Sequence, residues 1–273
     1  MKIGHLLILF FLAAVWGAAF LCVRVAAPQF GPLALIELRI GLSTLFLLPM
    51  IWNRKSLAVI RRHWLTLLIV GLFNSAVPFL MIAYSMLSMS AGLGAILNST
   101  TSLFGALVAS IWLKARLSTL QMAGIVIGLI GVVILVWNQI SFQPGGSGLA
   151  VLASVGAAAL YGFMANYVKK NLSDLPASVI ATGTLGESAL FFLPPTLWWW
   201  PAQSPGLVAW ISVVALAAAC TSMAYLIYYY LIARIGPTRA TTVTFLIPLF
   251  GVIWGAWFLD EPVPMNMVGG GIV

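Results

Sequence analysis

Charge is what this 273-residue chain lacks. Only 7% of its residues are Asp, Glu, Lys or Arg, against roughly 25% in an ordinary soluble domain. So few charges cannot cover a water-facing exterior, and a soluble globular enzyme is excluded. Histidine is nearly absent too. His5 and His63 stand at the ends of apolar runs, far from the Ser-rich stretch at 98–102, and no His/Asp/Glu cluster has metal-ligand spacing. An intramembrane protease or lipid-modifying transferase therefore has neither base nor metal to work with. No glycine-rich loop ends in Lys-Ser/Thr, which removes an ATP site. A charge ring or carbonyl filter, as in a channel, is also missing. The two cysteines, Cys22 and Cys220, fall at different depths of their apolar runs, which argues against a disulfide. No cofactor and no metal are implied.

What is present is apolar. Hydrophobic residues make up 62% of the chain and the mean hydropathy is +1.10. A bilayer crossing needs about 20 largely apolar residues. Ten segments qualify: 4–26, 33–52, 65–87, 92–113, 119–137, 148–168, 176–198, 207–232, 240–259 and 265 to the end. The first could pass for a signal peptide, but the run is long and Arg24 interrupts its end, so it is expected to stay as a span.

The few cations orient these segments. Of 13 Lys and Arg, 11 fall in clusters: Lys2; Arg54, Lys55, Arg61 and Arg62; Lys114 and Arg116; Lys169 and Lys170; Arg234 and Arg239. Consecutive clusters are separated by an outward and a return crossing, so all land on one side, the cytoplasmic one by the positive-inside rule. The N-terminus is expected inside, in a bacterial inner membrane. The net charge of +8 reads as loop anchors facing anionic lipid, not as a nucleic-acid surface. Tryptophans at span ends, such as Trp52, Trp112, Trp137 and Trp198 to Trp200, form an interfacial belt.

The chain also repeats itself. Residues 70–127 overlay 216–273 without a gap at an offset of 146: Leu103-Phe104-Gly105 meets Leu249-Phe250-Gly251, and Tyr84 meets Tyr230. Near the start the offset is 145, where Trp16-Gly17 meets Tyr161-Gly162 and Arg24 meets Lys169. The units are 1–137 and 148–273, joined by an outer connection at 138–147. Five spans per unit, an odd number, insert the second unit upside down. The expected fold is an all-α membrane protein of ten transmembrane helices, two inverted five-helix repeats around a central cavity. Spans one, three, four, six, eight and nine should line it. By the same offset the last span runs to about 283, so Val273 falls partway along it.

Polar residues inside spans are expensive and therefore informative. Asn98, Ser99, Thr100, Thr101 and Ser102 reach mid-depth in the fourth span, and Thr244 lies in its repeat partner. They either line a wet cavity or bond back to their own helices. Trp16, Tyr161 and Tyr225 are mid-depth aromatics that suit a flat or cationic ligand group, or plain helix packing. Together Trp16, Asn98, Ser99, Thr101, Ser102, Tyr161, Tyr225 and Thr244 are the candidate substrate contacts. Four charges lie within spans. Arg24 and Glu37 flank the first outer connection at similar depth and are expected to pair structurally. Arg39 either snorkels to the interface or meets a substrate carboxylate. Glu187, mid-span, either carries a proton or makes a packing hydrogen bond. Gly124, Gly128 and Gly131 with Gly269 to Gly271 form small-residue faces. Packing the fifth span on the tenth within one chain makes a monomer the expected state, with homodimerisation as the rival.

The stretch Trp112-Leu113-Lys114-Ala115-Arg116-Leu117, followed by Gln121, Gly124, Gly128 and Gly131, resembles the end of an EamA domain. Leu259-Asp260-Glu261-Pro262, followed by Gly269 to Gly271, resembles it more closely, and Trp16-Gly17 and Arg39 also match that pattern. Ala115 departs from it, since the first unit commonly carries glutamate there. Two such units in tandem define much of the drug/metabolite transporter superfamily, and the resemblance covers essentially the whole chain. Within it the sequence is most similar to bacterial YddG-type exporters, which implies export of amino acids, notably aromatic ones. The implied partners are a small-molecule substrate and the lipid bilayer. A multidrug transporter of the same fold is the alternative.

Overall fold

The computed structural model describes residues 3–137, 141, 146–235, 240 and 242–263, and every regular element among them is helical. The first, α1 (Ile3–Ile51), has 49 residues. A straight rod of that length would measure about 74 Å, over twice the ~30 Å apolar thickness of a bilayer. It is not straight. Gly31 adopts φ 70° and ψ 156° between Pro28 and Pro32, a conformation open essentially to glycine alone. Two contacts show that the legs double back. His5 lies 6.5 Å from Tyr230, and the Ser222 hydroxyl donates to the Ser43 carbonyl at 3.2 Å. On a rod, positions 5 and 43 would sit about 57 Å apart, whereas 222 and 230 are separated by about 12 Å of one helix. The expected spans 4–26 and 33–52 are thus two legs hinged at Gly31. A Cβ at Gly31 would meet nothing within 4 Å, so the cost of a side chain there is purely backbone strain. Gly31→Ala should lose about 1–3 kcal/mol of stability. Gly4→Ala, equally open in space but without a positive φ, should lose none. Thermal unfolding in detergent checks the pair.

The other helices follow the hydropathy. Helix α2 (Arg54–Gly71) passes through a π-helical turn, Leu72–Ala76, into α3 (Val77–Ser85). It starts well before residue 65, capped by the Asn53 side chain, which accepts from the Ser56 amide at 2.8 Å. The basic stretch 54–62 is therefore a helical extension of the span, bent at His63, and not a loop. Then come α4 (Ala91–Ser99), α5 (Thr101–Trp112), α6 (Thr119–Trp137), α7 (Gly148–Asn171) and α8 (Ala177–Trp198). Helix α9 (Leu207–Ala217) passes through a second π-helical turn, Ala218–Met223, into α10 (Ala224–Ile235), and α11 (Val243–Leu259) follows. Among the described residues six stretches are long and apolar enough to cross a membrane, one of them the doubled α1, and Thr119–Ile134 and Val243–Leu259 are shorter apolar helices. The expected tenth span and Gly269 to Gly271 lie outside the described residues. Gly128 packs within its own half: a Cβ there would come 2.9 Å from Leu103 Cδ1.

The duplication reappears feature by feature. The π turns begin at 72 and 218, an offset of 146. The only positive-φ residues other than glycine among those described are Lys114 (φ 53°) and Asp260 (φ 50°), at the same offset. The amide after each reaches back alike, Ala115 to the Ala109 carbonyl at 3.1 Å and Glu261 to the Gly255 carbonyl at 3.2 Å. The halves also exchange an identical contact. A Cβ on Gly17 would come 2.6 Å from Phe250 Cβ and 2.9 Å from the Gly251 amide. A Cβ on Gly162 would come 2.8 Å from Phe104 Cβ and 2.5 Å from the Gly105 amide. The first helix of each unit thus lies on the fourth helix of the other, backbone to backbone, which only glycine permits.

Candidate functional site

The second π turn meets one side chain, Arg39, directly, and the first is linked to its surroundings through Tyr225. A π turn holds one residue more than an α turn and is common where a helix must present a group to a site. In the second turn the widened ladder is bridged by hydroxyls: Thr221 donates to the Leu216 carbonyl at 2.8 Å and Ser222 to the Ala217 carbonyl at 2.9 Å. Thr221 Oγ1 then accepts from Arg39 Nε at 3.0 Å. Arg39, on the second leg of α1, is only 7% exposed. Its guanidinium carbon sits 3.6 Å from the centroid of the Phe79 ring, a cation–π contact. Tyr161, Tyr225, Cys220 and Cys22 surround it within electrostatic reach. Tyr225 shares a side-chain hydrogen bond with Ser75 of the first π turn, and the Phe79 and Tyr161 rings lie 6.4 Å apart. At the repeat offset, Ser75 corresponds to Thr221, Phe79 to Tyr225 and Trp16 to Tyr161. Arg39 corresponds to the neutral Thr184. A near-symmetric shell from both halves therefore encloses a single cation.

That cation has no counter-ion. The chain's acids are Glu37, Asp174, Glu187, Asp260 and Glu261, and among the described residues the ion pair present joins Arg24 to Glu261. Taking an ion out of water costs several kcal/mol unless an opposite charge compensates. One hydroxyl and one ring face compensate only in part. Arg39 does not snorkel; it is held in the interior.

The remaining expected residues fall as follows. Trp16 packs against Tyr228, centroids 5.3 Å apart, and joins the main core with Tyr161 and Tyr225. Ser99, Thr100 and Ser102 donate to the carbonyls of Ile96, Leu97 and Ser99 at 2.7, 2.6 and 3.0 Å, so they serve their own helices. Asn98 Oδ1 and Thr101 Oγ1 are buried without a hydrogen-bond partner. Thr244 is half-buried on α11. Glu37 and Glu187 each bury one carboxyl oxygen that has no hydrogen-bond partner. The expected Arg24–Glu37 pair does not form. Similar depth on two legs leaves the facing undetermined, and Arg24 turns toward Glu261, 3.9 Å away, and the Met86 carbonyl. Cys22 and Cys220, expected at different depths, meet and share a side-chain hydrogen bond as free thiols. Thr221, Phe79 and Ser75 were not among the expected contacts, although the offset of 146 pairs each with a residue of this shell.

The chain as a whole is similar to known proteins. The model of the EamA-like transporter family matches residues 2–137 and again 148–273. An uncharacterized transporter of Archaeoglobus fulgidus is 25% identical over 262 residues, 93% of this chain and 90% of that protein. The uncharacterized transporter YvbV of Bacillus subtilis is 21% identical over 97% and 87%. The uncharacterized inner membrane transporter YedA of Escherichia coli is 25% identical over 90% and 80%. A solved crystal structure shares the fold at a TM-score of 0.64 and 19% identity, covering 99% of this chain and 96% of that one. With both of its halves matched, the chain belongs to the EamA-like transporter family and is a multi-pass membrane transporter.

Proposed function

We propose that the protein exports neutral amino acids, aromatic ones foremost, from the cytoplasm by alternating access without ATP. It does so as a monomer of ten spans in two inverted repeats, with its N-terminus inside a bacterial inner membrane. The observation that carries the reading is Arg39, a buried cation without a carboxylate, enclosed by aromatic rings. A substrate carboxylate supplies the missing charge through a charge-assisted, bidentate contact. The rings of Phe79, Tyr161 and Trp16 suit an aromatic or large apolar side chain. The open acceptors Asn98 Oδ1 and Thr101 Oγ1 suit an ammonium group. The multidrug alternative fares worse, because a cationic drug would meet a buried like charge. An obligatory order follows: the site holds an uncompensated cation when empty and a paired one when filled, which favours exchange over leak. Counterflow in proteoliposomes tests the reading, with a labelled aromatic amino acid competed by a panel of amino acids, organic acids and cationic drugs. Competition by neutral amino acids alone is the expected result; competition by cationic drugs alone would refute it.

Glu187 carries a coupling role in this scheme, on the strength of its buried, unpartnered carboxyl oxygen. Glu187→Gln should remove the response of transport to an imposed pH gradient while leaving exchange at equal pH within about twofold, a difference of under 1 kcal/mol. A full response in the variant would assign Glu187 to packing.

A further inference from the structure

The two ends of the bundle are built differently. At the end that carries the connections 27–32, 88–91, 199–206 and 260–263, Glu261 is 13% exposed and closes three helices together. Both of its carboxylate oxygens accept from the Ala91 amide at 3.0 Å, capping α4. Arg24, whose guanidinium also donates to the Met86 carbonyl, stands 3.9 Å away. The left-handed Asp260 turns the chain so that Glu261 points back along α11. Gly255 provides the seat: a Cβ there would come 2.4 Å from Glu261 Oε2. Beneath this clasp α4 is packed along α11, with Gly251 against Ala95 and Gly255 against Ala91, and Ala91 through Leu97 are all buried.

The repeat predicts a matching clasp at the other end; Lys169 keeps the charge of Arg24, but the carboxylate, its seat and its donor are all missing from the sequence. At the offset of 146, Glu261 corresponds to Ala115, the seat Gly255 to Ala109, and the donor Ala91 to Pro237, which has no N–H. The inner half of the same span differs accordingly. Past the break at Thr100, α5 has no buried residue and lies on α7, not along α11. Among the described residues, spans four and nine touch at the outer end and not at the inner one.

We infer that Glu261, Arg24 and Gly255 form an outer gate clasp with no inner counterpart, so that the substrate-free transporter rests closed to the outside and open to the cytoplasm. For an exporter this is the state that loads substrate. The inference rests on the alternating-access reading above but on no substrate, so its test needs none. The carboxylate is charge-assisted and half-shielded, and its loss weakens one state alone, which is the condition for a population shift.

The test is labelling by a membrane-impermeant maleimide in sealed vesicles of each orientation, on the full chain with Cys22→Ser and Cys220→Ser. One reporter is Leu93→Cys, buried in the outer half; the other is Ala106→Cys on α5. Glu261→Gln should raise the rate at position 93 from outside about tenfold, the equivalent of 1.4 kcal/mol, and lower the rate at 106 from inside. Gly255→Ala, which dislodges the carboxylate without changing any charge, should act in the same direction. Were Glu261 only a helix cap, its loss would loosen the fold and both reporters would label faster. Unchanged labelling at 93, or a rise there not matched by a fall at 106, overturns the inference.

Discussion

Arg39→Gln should abolish amino-acid exchange while leaving the folded protein as stable as before or more so. Two terms of opposite sign produce this pairing. For the substrate, truncating one side of a buried, hydrogen-bonded charge pair costs about 2–5 kcal/mol, or roughly 30- to 5,000-fold in affinity. For the empty protein, the substitution removes an ion that has one hydroxyl and one ring face for company, and replacing a poorly compensated buried charge by a neutral group is often stabilising. A structural arginine would behave oppositely: the variant would unfold at lower temperature, and transport would fall only with the amount of folded protein. Counterflow and thermal unfolding on one preparation separate the two. Wild-type exchange in Arg39→Gln would remove Arg39 from the site.

The second large effect is all-or-none. Gln203→Cys, exposed between α8 and α9, should be fully modified by an impermeant maleimide added to intact cells. Ala58→Cys, exposed among the basic residues of α2, should be modified only after the membrane is opened. The expectation follows from the cations: sites within the clusters face the anionic cytoplasmic leaflet, at about 1 kcal/mol for each Lys or Arg near the surface. The helix pairing agrees on which connections share an end. Gln29 Oε1 accepts from the Gly206 amide at 2.7 Å and Phe30 meets Trp210 edge-on at 4.9 Å, while Arg24, Met86, Ala91 and Glu261, at or beside the connections 27–32, 88–91 and 260–263, gather in space. The reverse labelling pattern would invert the protein, and export with it.

How much of this was legible in the sequence depends on what kind of information each feature needs. Span positions are one-dimensional, so hydropathy located most of the helices among the described residues, though not the early start of α2 at Arg54; the Gly31-Pro32 hinge and the ends near Trp112 and Leu259 were visible as punctuation. Pairing is not one-dimensional. Depth alone set Arg24 opposite Glu37, yet the helix face sent Arg24 to a glutamate 237 positions away. Depth also separated Cys22 from Cys220, which meet. The five polar residues at 98–102 looked equivalent, but helix geometry lets three bond to their own backbone and leaves Asn98 Oδ1 and Thr101 Oγ1 without partners. The π turns have no composition signature, so Thr221 and Ser75 went unnoticed, although the repeat offset had already paired them. The internal repeat was the strongest unused signal: it identifies the aromatic shell around Arg39, and it marks Ala115, Ala109 and Pro237 as the places where the symmetry is broken.

Binding of phenylalanine against phenethylamine by the purified protein tests the carboxylate claim most directly. The two ligands share the ring and the ammonium group and differ in the carboxylate alone. Titration calorimetry in detergent should show phenylalanine binding and phenethylamine at least about 30-fold weaker, as the loss of a buried charge partner requires. Equal affinities, or tighter binding of the amine, would contradict a site built around Arg39.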